Sequence, residues 1–185
     1  MRHVGTPILE TERLRLRRLR VDDAQAMFEH WASDPEVTRY LTWEPYKEVA
    51  ACEAFLAEQV AAYHAKDFYL WGLELDNLGQ LIGTMGVVAQ QGEKATIGYC
   101  IGRAWWRQGL TQEALQAMLS FLFDTVGFQH LQAQYEPRNI ASAKVLAKAG
   151  FAIEGEVWRT IGPDSRRLLQ RGLSKKAWQL QHPKH

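Results

Sequence analysis

Three runs of the chain, residues 68–75, 81–88 and 95–101, are rich in aromatic and β-branched side chains and are separated only by short turns. The connectors are Asp76-Asn77-Leu78-Gly79 and Gln90-Gln91-Gly92-Glu93. Connections this short cannot carry a parallel crossover, so the three runs are predicted to be antiparallel neighbours. An amphipathic segment follows at once. Leu110, Ala114, Leu115, Met118, Phe121, Leu122 and Thr125 fall close to one helical face, which predicts a helix over residues 110–126.

The remaining segments read in the same way. The RLRLRRL run at residues 13–19 alternates and predicts a strand, and its five arginines up to Arg20 read as one solvated strand face. A helix is expected from Val21 to about Trp31 with Asp22 or Asp23 as its cap, and Asp34-Pro35-Glu36 restarts a short helical turn. Residues 38–46 lack periodicity and read as a loop over a pocket. Val49, Phe55, Leu56, Val60 and Ala61 suit an amphipathic helix over 47–66. A strand at 130–136, a helix at 140–149 and two strands at 151–161 and 166–173 complete the order. The class expected is α/β (α+β): a mixed, mostly antiparallel sheet with helices on both faces. GxGxxG does not occur.

With 185 residues the chain is predicted to form one domain, with a core over about 9–178 and a polar tail holding His182 and His185. Twenty-two basic residues nearly balance 21 acidic ones, which argues against bulk nucleic-acid or membrane binding. Cys52 and Cys100 give neither a disulfide framework nor metal-ligand spacing, and the six histidines are scattered. No secretory or membrane-spanning stretch is evident, so a cytoplasmic, metal-independent protein is expected.

One short stretch points to chemistry. Trp105-Trp106-Arg107-Gln108-Gly109-Leu110-Thr111 leads from a strand into the long helix. A glycine there permits a tight turn and close backbone approach, and a helix start offers unpaired N–H groups to an anion. The same residues also suit a plain strand-to-helix turn, with Arg107 exposed and a tryptophan packed beneath. Both readings stay open on this stretch alone.

The element order and residues at several places resemble the GCN5-related N-acetyltransferase (GNAT) superfamily, in particular its ribosomal-protein alanine N-acetyltransferase branch. The similar stretches are LETERLRLRRLRVDDA at 9–24, SDPEVTRYLTW at 33–43, IGYCIG at 97–102, and Asn139-Ile140-Ala141-Ser142 followed by LAKAGFAIEG at 146–155. The resemblance implies a sheet whose fourth and fifth family strands splay into a V that takes acetyl-CoA. It further implies that backbone N–H groups of Arg107, Gln108, Gly109, Leu110 and Thr111 cradle the pyrophosphate. Arg107 stands where the branch usually has glycine, and Thr111 where it usually has a smaller residue.

By the same resemblance, the backbone at Tyr99, Cys100 and Ile101 holds the pantetheine, with an N–H near Ile101 aimed at the thioester carbonyl. Asn139 and Ser142 face the cofactor. Leu146 occupies the position of the family tyrosine acid, which leaves Ser142 as the candidate proton donor. Thr96 stands where a branch glutamate often occurs. Glu93, Glu136 and Glu154 remain as carboxylates, and Glu154 matches a family glutamate. Cys100 is expected to be a small buried side chain and not a nucleophile, and Glu113 to stabilise the helix start through the dipole.

Acetyl transfer to a primary amine, either a protein N-terminus or a small molecule, is the activity implied. A resistance acetyltransferase and an acyl-CoA-binding protein without turnover are the alternatives. Tyr40, Trp43, Tyr46, Phe68, Trp71 and Trp158 are candidates to line an acceptor pocket. The oligomer expected is a monomer or homodimer.

Overall fold

Alternation in the N-terminal segment produces β1 (Leu9–Glu10) and β2 (Leu14–Arg17), with Leu14 and Leu16 buried. The computed structural model describes residues 1–76, 78–161 and 163–183. After β2 come a 3-10 turn (Val21–Asp23), α1 (Ala24–Met27), a π-helical turn (Phe28–Ala32), α2 (Pro35–Thr38) and α3 (Val49–Ala62). Next are β3 (Leu70–Leu75), β4 (Gln80–Gln91) and β5 (Lys94–Ile101), then a 3-10 turn (Arg103–Trp105) and α4 (Leu110–Ser120). A π-helical turn (Phe121–Val126) extends α4; β6 (His130–Tyr135), α5 (Ile140–Lys148), β7 (Ala152–Ile161), β8 (Asp164–Ser174) and α6 (Lys175–Gln181) follow.

The hydrogen-bonded strand order is β1-β2-β3-β4-β5-β6-β8-β7. Among the described residues β5 and β6 pair in parallel, and β1–β2, β2–β3, β3–β4, β6–β8 and β7–β8 pair antiparallel, so the mixed, mostly antiparallel sheet with helices on both faces is the architecture observed. The parallel ladder runs from Lys94↔His130 to Ile97↔Ala133, while the strands themselves continue to Ile101 and Tyr135.

The chain divides into two compact units. One comprises His3–Gly86 and Tyr99–Met118. Its core gathers Leu19, Met27, Trp31, Cys52, Leu56 and Leu81, with Trp43 and Tyr46 packed partly against it. The other comprises Met1–Arg2, Val87–Gly98 and the residues from Leu119 onward, and buries Phe123, Phe128, Leu131, Leu146, Phe151 and Trp178.

Several expectations need correction. The arginines of 13–20 are not one solvated face: Arg17 is buried, donates to both carboxylate oxygens of Asp23 at 2.9 Å, and pairs with Glu74 at 2.5 Å. Arg18 donates to the Thr6 carbonyl at 2.9 Å, and its guanidinium lies 5.2 Å from the Tyr63 ring centre. Asp23 does not cap a long helix; its carboxylate accepts the Arg20 N–H at 2.7 Å, and the helix breaks into 3-10, α and π turns. Asp34 does cap α2, accepting the Glu36 N–H at 2.9 Å.

In α3 the buried side chains are Cys52 and Leu56, whereas Val60 is exposed. The long helix keeps its predicted stripe through Leu122, but the π turn shifts the phase, so Phe123 and Val126 are buried and Thr125 is exposed. His182 is not in a loose tail: it stacks on Trp178 at 3.8 Å after α6, an element absent from the sequence reading, as was β1. His185 lies outside the described residues, as does Asn77 of the first predicted turn.

Candidate functional site

The turn before α4 has two residues in the left-handed region, Arg107 at φ 61° and Gly109 at φ 78°. Arg107 is the only non-glycine residue with positive φ among the described residues. A side-chain-bearing residue pays about 1–2 kcal/mol for this conformation, so its neighbours must hold it there. Left-handed residues interleaved with ordinary negative-φ ones can turn successive N–H groups toward one side, which is how an anion nest is built. Residues 106–109 are exposed, while Leu110 is buried and anchors the helix start. Arrangement and exposure together fit a phosphate group.

Side chains pin this turn from three directions. The Trp106 indole N–H donates to the Ile101 carbonyl at 2.9 Å, tying the turn to the end of β5. The Gln108 amide donates to the Ala104 carbonyl at 3.0 Å. Arg13 donates through Nη1 to the Gln108 carbonyl at 2.9 Å and pairs with Glu113 at 2.7 Å. Glu113 is therefore more than a dipole partner. It also accepts the Thr11 hydroxyl at 2.6 Å and the Arg13 N–H at 2.8 Å. Burial alone would raise its carboxyl pKa; the Thr11 and Arg13 hydrogen bonds and the Arg13 charge outweigh that and lower it.

Trp105 lies edge-on to His30 at 4.9 Å and is half-buried. Arg103 pairs with Asp34 at 3.0 Å. Cys100 sits 3.5 Å from the Thr84 hydroxyl, and burial pushes its thiol pKa up against the opposing effect of the Thr84 hydrogen bonds. A raised thiol pKa is the reverse of what a nucleophile needs.

Tyr99, Cys100, Ile101 and residues 107–111 share one compact unit; Asn139, Ser142 and Glu154 belong to the other. In that second unit Asn139 caps α5, its Oδ1 accepting the Ser142 N–H at 3.1 Å. Leu146, one turn further along α5, is fully buried. Glu154 bulges from β7 and is held by His130 at 2.9 Å and by Gln170 at 3.3 Å. Glu136 is buried between Arg138 and Arg166, each at 3.2 Å. Thr96 accepts from Gln132 at 2.9 Å.

The aromatic candidates differ in burial and in partners. Trp71 is fully buried and donates to the Pro7 carbonyl at 2.6 Å, while Phe68 packs edge-on against Tyr63 at 5.3 Å. Trp43 and Tyr46 tilt against each other at 5.4 Å, and Trp158 projects from β7, 65% exposed. Thr11 and Arg13 are the site-supporting residues that sequence reasoning missed. Their separations of 102 and 100 residues from Glu113 hide the link, and Arg13 looked like one member of an arginine run. Among the described residues no cluster of His, Cys, Asp or Glu could hold a metal ion, and no helix is long and apolar enough to cross a membrane.

The Acetyltransferase (GNAT) domain family matches residues 13–152. The chain is 36% identical over 151 residues to the N-acetyltransferase YoaA of Bacillus subtilis (strain 168), covering 80% of this chain and 85% of that protein. It is 28% identical over 156 residues to the [Ribosomal protein uS5]-alanine N-acetyltransferase of Escherichia coli (strain K12), covering 80% and 79%. An acetyltransferase structure from Bacillus anthracis superposes with a TM-score of 0.82 at 22% identity, over 92% of this chain and 99% of that one. RimL, a ribosomal L7/L12 α-N-protein acetyltransferase in complex with coenzyme A, superposes with a TM-score of 0.81 at 16% identity, over the same shares.

Proposed function

Because the chain belongs to the GNAT acetyltransferase domain family, we propose that it moves the acetyl group of acetyl-CoA to a primary amine, with the α-amine of a protein or peptide as its acceptor class. The observation that carries this reading is the exposed turn with left-handed residues at 107 and 109, placed between β5 and the 11-residue helix α4. Support for the cofactor comes from the coenzyme A-bound fold relative, and support for the acceptor from the alanine N-acetyltransferase relative.

Acetyl-CoA supplies an acetyl group already activated as a thioester, open to attack by a neutral amine. The chain's part is to bind, orient and manage protons. Backbone N–H groups of Arg107, Gln108, Gly109, Leu110 and Thr111 would take the pyrophosphate, which needs donors and a favourable helix end and no particular side chain. The β5 backbone at Tyr99, Cys100 and Ile101 would hold the pantetheine arm. Asn139 fixes the start of α5 and would face the cofactor, and the Ser142 hydroxyl is the proton donor this reading assigns, since buried Leu146 has none to give.

Glu154 and Glu136 are both occupied by cationic or polar partners, so neither is assigned as the base. An α-amine, with its ordinary pKa near 8, reaches the neutral form often enough at mild alkaline pH to react without one. The test is incubation with acetyl-CoA and a panel of N-terminal peptides, polyamines and aminoglycosides, with thiol release monitored. Peptide-dependent release supports the reading. Release with small amines alone moves the protein to the resistance class, and coenzyme A binding without release to any acceptor makes it a binding protein.

A further inference from the structure

We infer that Arg13 and Glu113 are positioning residues for the cofactor's pyrophosphate: Arg13 sets the orientation of the Gln108–Gly109 peptide, and Glu113 sets Arg13. This inference rests on the acetyl-CoA reading above.

A trans peptide is planar, and its carbonyl and N–H point in opposite directions. The Gln108 carbonyl is drawn toward Arg13 Nη1 at 2.9 Å. The Gly109 N–H, on the same peptide plane, is thereby directed away from Arg13. Rotating that plane changes ψ of Gln108 and φ of Gly109 together, so the left-handed geometry at Gly109, φ 78°, is tied to the direction of the Gln108 carbonyl. The Arg13 contact opposes that rotation.

Arg13 is itself held on both sides. Its Nε donates to Glu113 Oε2 at 2.7 Å, and its own backbone N–H donates to Glu113 Oε1 at 2.8 Å. The Thr11 hydroxyl donates to the same Oε1 at 2.6 Å, and the Leu14 N–H donates back to the Thr11 oxygen at 3.0 Å. A planar guanidinium can serve the Glu113 fork and a carbonyl at once; an ammonium on a flexible stem cannot hold both in fixed directions. The nearest heavy atom to a Cβ built on Gly109 is Arg13 Nη2, at 3.6 Å, so the guanidinium flanks the turn directly.

A competing role for Arg13, as a direct counter-ion to phosphate, predicts the opposite sign for one variant. Glu113 neutralises Arg13, so Glu113→Gln would then tighten coenzyme A binding and steepen its salt dependence. As a positioning pair, Glu113→Gln releases Arg13 from its fork and weakens binding. The experiment is calorimetric titration of coenzyme A into wild type, Arg13→Met, Arg13→Lys and Glu113→Gln at two salt concentrations, with the thermal midpoint of each ligand-free protein measured alongside.

The expected result is a loss of about tenfold in affinity for both Arg13 variants, and a smaller loss for Glu113→Gln. Affinity is read on folded protein, so a change in thermal midpoint alone, with affinity unchanged, would reduce the pair to a structural clamp and overturn the inference. Tighter binding by Glu113→Gln, or full rescue by Arg13→Lys, would also overturn it. If Arg13→Met does not fold, Arg13→Lys and Glu113→Gln carry the same test. Wild type that fails to bind coenzyme A removes the acetyl-CoA reading and this inference with it; wild type that binds no better than the Arg13 variants overturns this inference alone.

Discussion

Cys100 shows how little a residue type says before its surroundings are known. Its thiol pKa is shifted upward by burial, and its side chain lies beside the Thr84 hydroxyl. Cys100→Ala is expected to keep turnover within about threefold of wild type, since direct attack by the amine needs no protein nucleophile. Intact-mass analysis after mixing with acetyl-CoA checks this from the other side: a kinetically competent acetyl adduct on Cys100 would refute direct transfer. Ser142 carries the opposite expectation. Ser142→Ala should lower kcat by roughly 10- to 100-fold with coenzyme A affinity nearly unchanged, because a thiolate is already a fair leaving group and the hydroxyl supplies only part of its stabilisation. A matched loss of affinity would make Ser142 a binding residue instead.

At the scale of elements, two charge clusters join segments that are distant in sequence. Arg17 sits buried between Asp23 and Glu74, connecting β2, the turn after it and β3. Burial alone would lower the Arg17 pKa, and the two carboxylates more than reverse that. Arg17→Ala leaves both carboxylates without their cation, a loss of about 3–5 kcal/mol for a pair this buried. In a chain of this length that is a fall of roughly 6–20 °C in thermal midpoint, read by calorimetry.

The Glu113 cluster joins the β1–β2 turn to the first turn of α4. Its carboxyl pKa is depressed below the ordinary 4.5, so its contribution is complete above that value and is lost as pH falls through the folded pKa. The thermal-midpoint difference between wild type and Glu113→Gln should be widest near neutrality and narrow progressively below about pH 4.5. A difference that does not change between pH 6 and pH 3 would show that the carboxylate is not the group responsible.

For the whole molecule, the prediction is that coenzyme A stabilises the chain with no metal requirement. A ligand that binds only the folded state adds about 2.7 kcal/mol at a hundred times its dissociation constant, or roughly 5–10 °C in midpoint here. The same shift is expected in excess chelator. A shift abolished by chelator and restored by a divalent cation would show that the metal-independent reading is wrong.

Element order was legible in the amino-acid sequence because hydrophobic period is a local property. The alternation at residues 13–19, the closely spaced strands from 68 to 101 and the stripe on α4 each declare themselves within one window. The sharp turn was legible for the same reason, since Gln108-Gly109-Leu110 lies within one strand-to-helix connection. The left-handed conformation of Arg107 was not legible, since an arginine gives no local signal for positive φ.

What tertiary structure alone decided were the contacts between segments far apart in the chain. The arginines at 13, 15, 17, 18 and 20 look alike in sequence; only packing makes Arg17 a buried ion-pair centre and Arg13 a brace for the turn at 108. The α3 stripe was misplaced because its apolar residues occur on more than one face, and the neighbouring Trp31 and Leu81 determine which of them is buried. The short β1 carries too few residues for a periodic signal, and the His182–Trp178 stack depends on the helical spacing of four residues at the end of α6. Period is written in neighbours along the chain, whereas the partner of a charge is settled by which distant strand or helix folds beside it.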